Sequence, residues 1–227
     1  SHATAKMYKE KDGIDVTPIG PFIDPTYVVA EKRDPKHVLL VNPSLAKGAA
    51  IVIRLAMMLE EERPDITFEV VQSRGNWEAL VRQVTKQFGE ERSSLNNVIL
   101  TPNTPDMRPI YARAKVLLAL SLWWESFGRV AAEAEMNGIP VAIVDRGGLR
   151  EAATSPFFKL NLQESFHKPP FTQIPSDNII TPLKDQIQKI YNEQTFYTQL
   201  QDTIAVEKDI NDIKNSTERL ERAFIQK

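Results

Sequence analysis

The middle of the chain alternates between two patterns of apolar residues. Short runs of strand length, such as residues 37–41, are almost entirely apolar, and each is followed by a longer stretch with an apolar stripe at helical spacing, as in residues 48–62. The first pattern predicts a buried strand and the second an amphipathic helix. The predicted strands are 37–41, 67–71, 97–101, 116–121 and 140–144, and the predicted helices are 48–62, 77–88, 106–113 and 130–137.

Strands that are apolar on both faces and separated by helices indicate a parallel sheet covered on both sides. We therefore expect an α/β protein with a Rossmann-like, doubly wound sheet. Ligands of such sheets bind beyond the carboxyl ends of the strands, so the loops at that edge are where chemistry is expected.

The flanking segments are less regular. An amphipathic helix over residues 1–10, a strand over 15–19 and a proline-rich linker precede the alternating region. Residues 155–182 are proline-rich and predicted to be irregular, and two helices over 183–192 and 194–226 follow them. Because the chain begins inside the first helix, we expect it to be a piece of a longer protein.

Composition narrows the possible functions. The 227 residues carry a net charge of −2, which gives no electrostatic case for nucleic acid binding. The chain has no cysteine and three scattered histidines, so neither a disulfide framework nor a zinc site is expected. No apolar run approaches the ~20 residues of a membrane span, and no signal peptide is evident. We expect a cytoplasmic protein.

The stretch over residues 117–151 carries the chemistry. A turn containing Glu125 and Gly128 follows a predicted strand, and a helix begins near Arg129. Unpaired amides at a helix N-terminus bind anions, and glycine lets a ligand approach the main chain. Glu125 and Glu133 lie on either side of these amides, and carboxylates accept hydrogen bonds from paired hydroxyls. This arrangement predicts a nucleotide-sugar site, although two glutamates at this spacing are also common on solvated helices.

Several motifs in a fixed order carry a family resemblance. ESFGRVAAEA, with Glu125 and Glu133 as its acids, resembles the Glu-x7-Glu motif of retaining GT-B glycosyltransferases of the large group-four family. The sequence continues with GIPV and GGLRE, which are similar to the continuation in that family. The N-terminal residues resemble the last helix of the other GT-B domain and the crossover between the domains.

The resemblance implies a division of the chain and a missing half. Residues 1–36 would be a remnant of the N-terminal domain with the linker, 37–192 the nucleotide-sugar-binding domain, and 193–227 a C-terminal helix. The absent N-terminal domain would hold the acceptor. Any peripheral association with a membrane would also run through that absent half.

The resemblance also implies roles for individual residues. Glu133 would hold the ribose hydroxyls of the nucleotide, and Glu125 the transferred sugar near its reacting end. The turn and the first helical residues would contact the donor: Ser126, Phe127, Gly128, Arg129 and Val130.

Lys47 follows the first strand where the family shows an arginine and a lysine that neutralise the donor diphosphate. Such a fixed cation would stabilise the charge that develops as the sugar leaves. The arginine position holds Asn42, which carries no charge. Either another cation compensates, with Arg74, Arg129 and Arg150 as candidates, or the donor site is weakened.

Other loops at the same edge are less informative. Residues 73–75 and the loop that begins at Thr101 follow the second and third strands, where family members enclose the nucleobase. Gly147 and Gly148 are also at this edge, and a plain tight turn explains them nearly as well. No acidic cluster of the D-x-D type is evident, so neither a metal nor a cofactor is expected besides the donor substrate.

The resemblance thus implies a hexosyltransferase-type enzyme that transfers sugar from a nucleotide diphosphate sugar to an acceptor hydroxyl with retention. Two alternatives stay open. Asn42 favours a catalytically degenerate nucleotide-binding or scaffolding module. A nucleotide-sugar epimerase of similar architecture would need histidines and acids along the crevice, and the sequence offers no obvious set.

Overall fold

A six-stranded, all-parallel sheet forms the centre of the protein. The computed structural model describes residues 1–73 and 75–225. The strand order is β3-β2-β1-β4-β5-β6, as in a Rossmann fold. The strands are β1 (His37–Val41), β2 (Phe68–Val71), β3 (Val98–Thr101), β4 (Ala114–Ala119), β5 (Val141–Val144) and β6 (Phe158–Leu160).

Helices cover both faces of this sheet. They are α1 (His2–Asp12), α2 (Pro25–Val28), α3 (Ala49–Glu62), α4 (Trp77–Lys86), α5 (Arg108–Arg113), α6 (Arg129–Met136), α7 (Leu149–Ala152), α8 (Asp177–Asn192), α9 (Gln194–Ala205) and α10 (Ile213–Ile225). In the described part of the chain, none of them combines the length and the hydropathy that crossing a bilayer requires.

Alternate residues of the central strands enter two different hydrophobic cores. In β1, Val38 and Leu40 belong to the core under α3, α4 and α8, whereas Leu39 belongs to the core under α5, α6 and α7. Side chains of a strand point to opposite faces in turn, so a strand buried on both faces must be apolar throughout. The doubly wound α/β fold predicted from the sequence is confirmed.

The two halves of the sheet wind in opposite directions from its centre. The connection after β1 runs through α3 on one face, and the connection after β4 runs through α6 on the other. Since β1 and β4 are neighbours, the chain diverges between their carboxyl ends and leaves a crevice there.

Three flanking elements differ from the sequence predictions. The predicted helix over 194–226 is broken into α9 and α10. The main-chain N–H of Ile213 donates to the carbonyl oxygen of Ile23 (2.7 Å), and the Asp212 carboxylate accepts from the main-chain N–H of Asn215 (2.7 Å). α9 ends at Ala205, turns follow it, and these contacts fix and cap the start of α10, so a long-range bond outweighs the local helical pattern there.

The predicted strand over 15–19 was also wrong, because within the described residues this segment pairs with no strand. The Ile19 carbonyl instead accepts from Nε of Arg219 (2.7 Å). In the segment 155–182, which was predicted to be irregular, β6 pairs with β5 at the sheet edge, and α8 begins at Asp177 despite Pro182 inside it.

Gly48 allows close contact between the loops that follow β1 and β4. Its φ is +78°, and a Cβ atom there would lie 2.2 Å from the carbonyl oxygen of Leu120. Only glycine adopts this backbone conformation without strain and also leaves room for the neighbouring carbonyl.

We predict that Gly48→Ala destabilises the fold far more than Gly89→Ala. Gly89 has a similar φ of +80°, but a Cβ atom added there would meet no other atom within 4 Å. The control should therefore cost about 1–2 kcal/mol for the left-handed backbone alone. Gly48→Ala should add about 1–3 kcal/mol for the steric conflict. Urea unfolding of the two variants measures the difference, and equal losses would contradict the contact with Leu120.

Candidate functional site

A cleft of about 280 Å³ opens at the carboxyl ends of β1 and β4. This is where the sheet changes its winding direction, the usual ligand site of such folds. Its lining combines apolar strand ends with a few polar side chains: Leu40, Val41, Asn42, Lys47, Leu117, Leu118, Ala119, Leu120, Ser121, Glu125, Gly128, Arg129, Val130, Ala131 and Leu149.

The N-terminus of α6 borders this cleft. Gly128 is the N-cap residue, with φ +104°, and no side chain caps the helix. The first amides of an α-helix have no partner within the helix and carry the positive end of its dipole. Since Gly128, Arg129 and Val130 line the cleft, their main chain forms one wall suited to an anion.

A pair of opposite charges joins the loops after β1 and β4. Lys47 Nζ donates to Oε1 of Glu125, and the two side chains are 35% and 17% exposed. The main chain fastens the same loops, because the Ala46 carbonyl accepts from the amides of Leu122 (2.9 Å) and Trp123 (3.1 Å). The structure thus brings together the two residues that the sequence assigned to catalysis.

Glu133 lies one turn inside α6, is only 7% exposed and is not among the residues that line the cleft. Its Oε2 accepts from the Tyr111 hydroxyl (2.7 Å), and its Oε1 accepts from Nε of Arg129. Burial, with the neighbouring Glu133 charge, raises the pKa of Tyr111 well above its usual range, so the phenol is protonated and donates. A carboxylate has further lone pairs, so Glu133 can still accept from a ligand hydroxyl.

Sequence reasoning missed Tyr111. It occupies an apolar position of the short helix α5, is fully buried, and belongs to no motif. Its partnership with Glu133 arises because α5 and α6 lie on the same face of the sheet.

Asn42 lines the cleft directly after β1. It adopts a left-handed backbone conformation with φ +60°, which asparagine tolerates better than most residues. Its side-chain Oδ1 is buried and, within the described part of the chain, has no hydrogen-bond partner. Buried polar atoms are almost always paired in folded proteins, so this oxygen is available to a ligand donor.

Other predicted site residues lie outside the cleft. Thr101 donates through Oγ1 to Oε1 of the buried Glu69 (2.6 Å) rather than facing the cavity. The carbonyl of Ser126 accepts from Thr4 Oγ1 (3.0 Å), and Phe127 lines a neighbouring cavity of about 310 Å³. Gly148 donates through its amide to the Glu125 carbonyl (2.8 Å) and so supports the loop.

Asn42 stands where the resemblance predicts an arginine, and the three cations considered as substitutes for that arginine lie in different places. Arg129 lines the cleft. Arg150 pairs through Nε with the Asp145 carboxylate, and its Nη2 donates to the Asp145 carbonyl (3.1 Å), away from the cavity lining. Arg74 lies outside the described residues.

Solved structures of glycosyltransferases share this fold. The pneumococcal O-GlcNAc transferase GtfA in complex with UDP and GlcNAc matches with a TM-score of 0.72 and 15% identity, over 99% of this chain and 43% of that one. Anabaena Alr3699/HepE in complex with UDP-glucose matches with a TM-score of 0.60 and 18% identity, over 91% of this chain and 56% of that one. The chain therefore has the GT-B glycosyltransferase fold and corresponds to part of these longer proteins.

Sequence comparison identifies the family. D-inositol 3-phosphate glycosyltransferase of Pseudarthrobacter chlorophenolicus is 28% identical over 156 residues, which cover 62% of this chain and 36% of that relative. Residues 29–160 match the family described as Glycosyl transferases group 1, and this span includes the whole cleft. The protein belongs to the group 1 glycosyl transferases.

Proposed function

We propose that this chain is the donor-binding part of an enzyme that transfers a sugar from a nucleotide diphosphate sugar to an acceptor hydroxyl with retention. One observation supports this above all. The unpaired amides of α6, the cations Lys47 and Arg129 and the Glu125 carboxylate line a single cleft at the switch point of the sheet, and the buried Glu133 carboxylate contacts Arg129. These groups match an anion flanked by hydroxyls, the chemical pattern of a nucleotide sugar.

The diphosphate would lie between Lys47 and the start of α6. Both line the cleft, one after β1 and the other after β4. When the bond to the sugar breaks, negative charge grows on the diphosphate, and a cation already in place stabilises that charge without reorganisation. Glu125, which contacts Lys47, would then hold or orient the transferred sugar rather than attack it.

Glu133 would hold the ribose. Its position inside α6 places it about one helical turn from the amides, and Tyr111 fixes one of its oxygens. The spacing of the two acids agrees with the Glu-x7-Glu resemblance, which is also the basis for proposing retention.

We further propose that residues 37–192 form the donor-binding domain, that 1–36 belong to the other domain and the linker, and that 193–227 form a C-terminal helical segment. GT-B sites close between two domains, so the chain alone should bind the donor weakly and transfer nothing. The acceptor and any membrane association would depend on the rest of the protein.

A non-catalytic nucleotide-binding or scaffolding module is the second candidate. Asn42 favours it, because a neutral side chain lines the cleft where the resemblance predicts an arginine. The two functions differ in what Lys47 does. In an enzyme it acts on the departing diphosphate, whereas in a scaffold its removal leaves sugar transfer and nucleotide affinity unchanged.

Lys47→Ala is expected to weaken binding of a nucleoside diphosphate. Thermal-shift screening of nucleoside diphosphates first identifies the one that stabilises the wild-type chain by mass action. Its dissociation constant, measured by calorimetry, should rise roughly tenfold to a hundredfold because a charge-assisted contact of about 1.5–3 kcal/mol is lost. The exposed Lys86→Ala is the matched control and should bind as the wild type does. Equal affinities for Lys47→Ala and Lys86→Ala would support the scaffold.

Glu133→Gln is expected to reduce selectivity for the ribose hydroxyls. The nearly isosteric amide keeps the bond from Tyr111 but removes the charge that strengthens hydrogen bonds from a diol. Affinity for the selected nucleoside diphosphate should fall, while affinity for its 2′,3′-dideoxy counterpart, which makes no hydroxyl contact with Glu133, should not fall. A parallel loss for both ligands would exclude ribose binding by Glu133, and thermal unfolding of the variant confirms that it folds.

A further inference from the structure

Each of the two cations that line the cleft is paired with a carboxylate, of which Glu125 also lines the cleft and Glu133 is buried beside it. Lys47 contacts Glu125, and Arg129 contacts Glu133. Each pair joins one cation to one of the two carboxylates proposed to hold hydroxyls. Each cation of the cleft is therefore neutralised by a carboxylate of the chain.

Arg129 is placed to reach further into the cleft. It is the first residue of α6, directly after the N-cap, and it lines the same cavity as Lys47 and Asn42. Its side chain is 59% exposed, whereas that of Glu133 is 9% exposed. The carboxylate is thus held in place and the guanidinium is the movable partner of the pair.

Within the described residues, Lys47 and Arg129 are the cations that line the cleft. Arg146, nearby in sequence, instead forms a two-bond pair with Glu164 (2.9 and 3.2 Å) and lies over the ring of Trp124. The neutral Asn42 contributes no charge. A diphosphate bound here therefore meets one fixed cation at Lys47, and Arg129 is the available second one.

We propose that Arg129 supplies the second positive charge for the donor diphosphate, in place of a cation at position 42. On binding, Arg129 leaves Glu133 for the phosphate oxygens, and the ribose hydroxyls take its place on the carboxylate. This assignment rests on the proposed donor site. It makes binding an exchange of partners, in which the ligand's anion takes the cation and its hydroxyls take the carboxylate.

The contacts of Glu133 make this exchange inexpensive. The Tyr111 hydroxyl holds Oε2 throughout, so the buried carboxylate is never without a donor. The Arg129 side chain is mostly exposed, so water solvates its charge whether or not it contacts Glu133, and leaving the pair costs it little. A diphosphate offers more negative charge than one carboxylate and accepts the two parallel bonds that a guanidinium donates.

Arg129→Met tests the assignment because it removes the charge and keeps much of the side-chain length. The dissociation constant of the selected nucleoside diphosphate should rise roughly tenfold or more, as expected for the loss of a charge-assisted contact. Binding of the corresponding nucleoside, which has no phosphate, should change little. Arg108→Met is the matched control, since this exposed arginine pairs with Asp106 outside the cleft, and it should bind both ligands as the wild type does.

A second background separates the charge of Arg129 from its effect on Glu133. Arg129→Met leaves that carboxylate without one partner, which by itself repels phosphate. In the Glu133→Gln background the repulsion is absent, and Arg129→Met should still weaken diphosphate binding. Adding Asn42→Arg to the Arg129→Met variant places a cation elsewhere in the same cleft and should return most of the lost affinity. Thermal unfolding verifies that each variant is folded.

The outcomes distinguish this assignment from the proposed function. If the wild-type chain binds no nucleoside diphosphate, the donor site itself is wrong. If the wild type binds and Arg129→Met binds equally well, Arg129 is not the second cation. Equal weakening for nucleoside and diphosphate, or no loss in the Glu133→Gln background, would show a structural role and overturn the exchange. If the folded double variant Asn42→Arg/Arg129→Met does not regain binding, the claim that a cation at position 42 or at position 129 can supply the second positive charge is refuted.

Discussion

The close contact between the loops after β1 and β4 is the constraint on which the rest of the site depends. The Ala46 carbonyl accepts two amides of the opposite loop, and Gly48 leaves room for the Leu120 carbonyl. The crossovers meanwhile diverge to opposite faces of the sheet. The divergence opens a cleft and the fastened loops keep it narrow, so that Lys47 from one side contacts Glu125 from the other.

The same ion pairs that stabilise the cleft also define what it can bind. A charge held in a partly buried cleft without a partner is costly, so each cation here is neutralised by a carboxylate of the chain. A ligand that carried only negative charge would draw the cations away and leave both carboxylates without a positive partner. A ligand with an anion between hydroxyl-bearing groups leaves every charge with a partner. In the proposed function, the cleft therefore selects a pattern of groups rather than charge alone.

Local patterns predicted the fold and part of the candidate site. Apolar strand runs are a direct consequence of burial on both faces, and the start of α6 follows from Gly128. The motifs led to Glu125, Glu133 and Lys47. Tyr111 and the break before α10 were not predictable, because each depends on a contact between residues distant in sequence. The same holds for Thr101, which follows the expected strand but bonds to the buried Glu69.

The backbone conformation at Asn42 gives a physical reason why the second cation of the cleft lies at position 129 rather than at position 42. Its φ of +60° is a conformation that asparagine adopts readily and that costs most other residues about 1–2 kcal/mol. An arginine there would carry this strain and would also lie near the Lys47 charge. Position 129 has no such conflict, because arginine is a good helix former and Glu133 neutralises it one turn later. A cation on α6 thus lines the same cleft on an unstrained backbone, and in the proposed exchange Glu133 neutralises its charge while no diphosphate is bound.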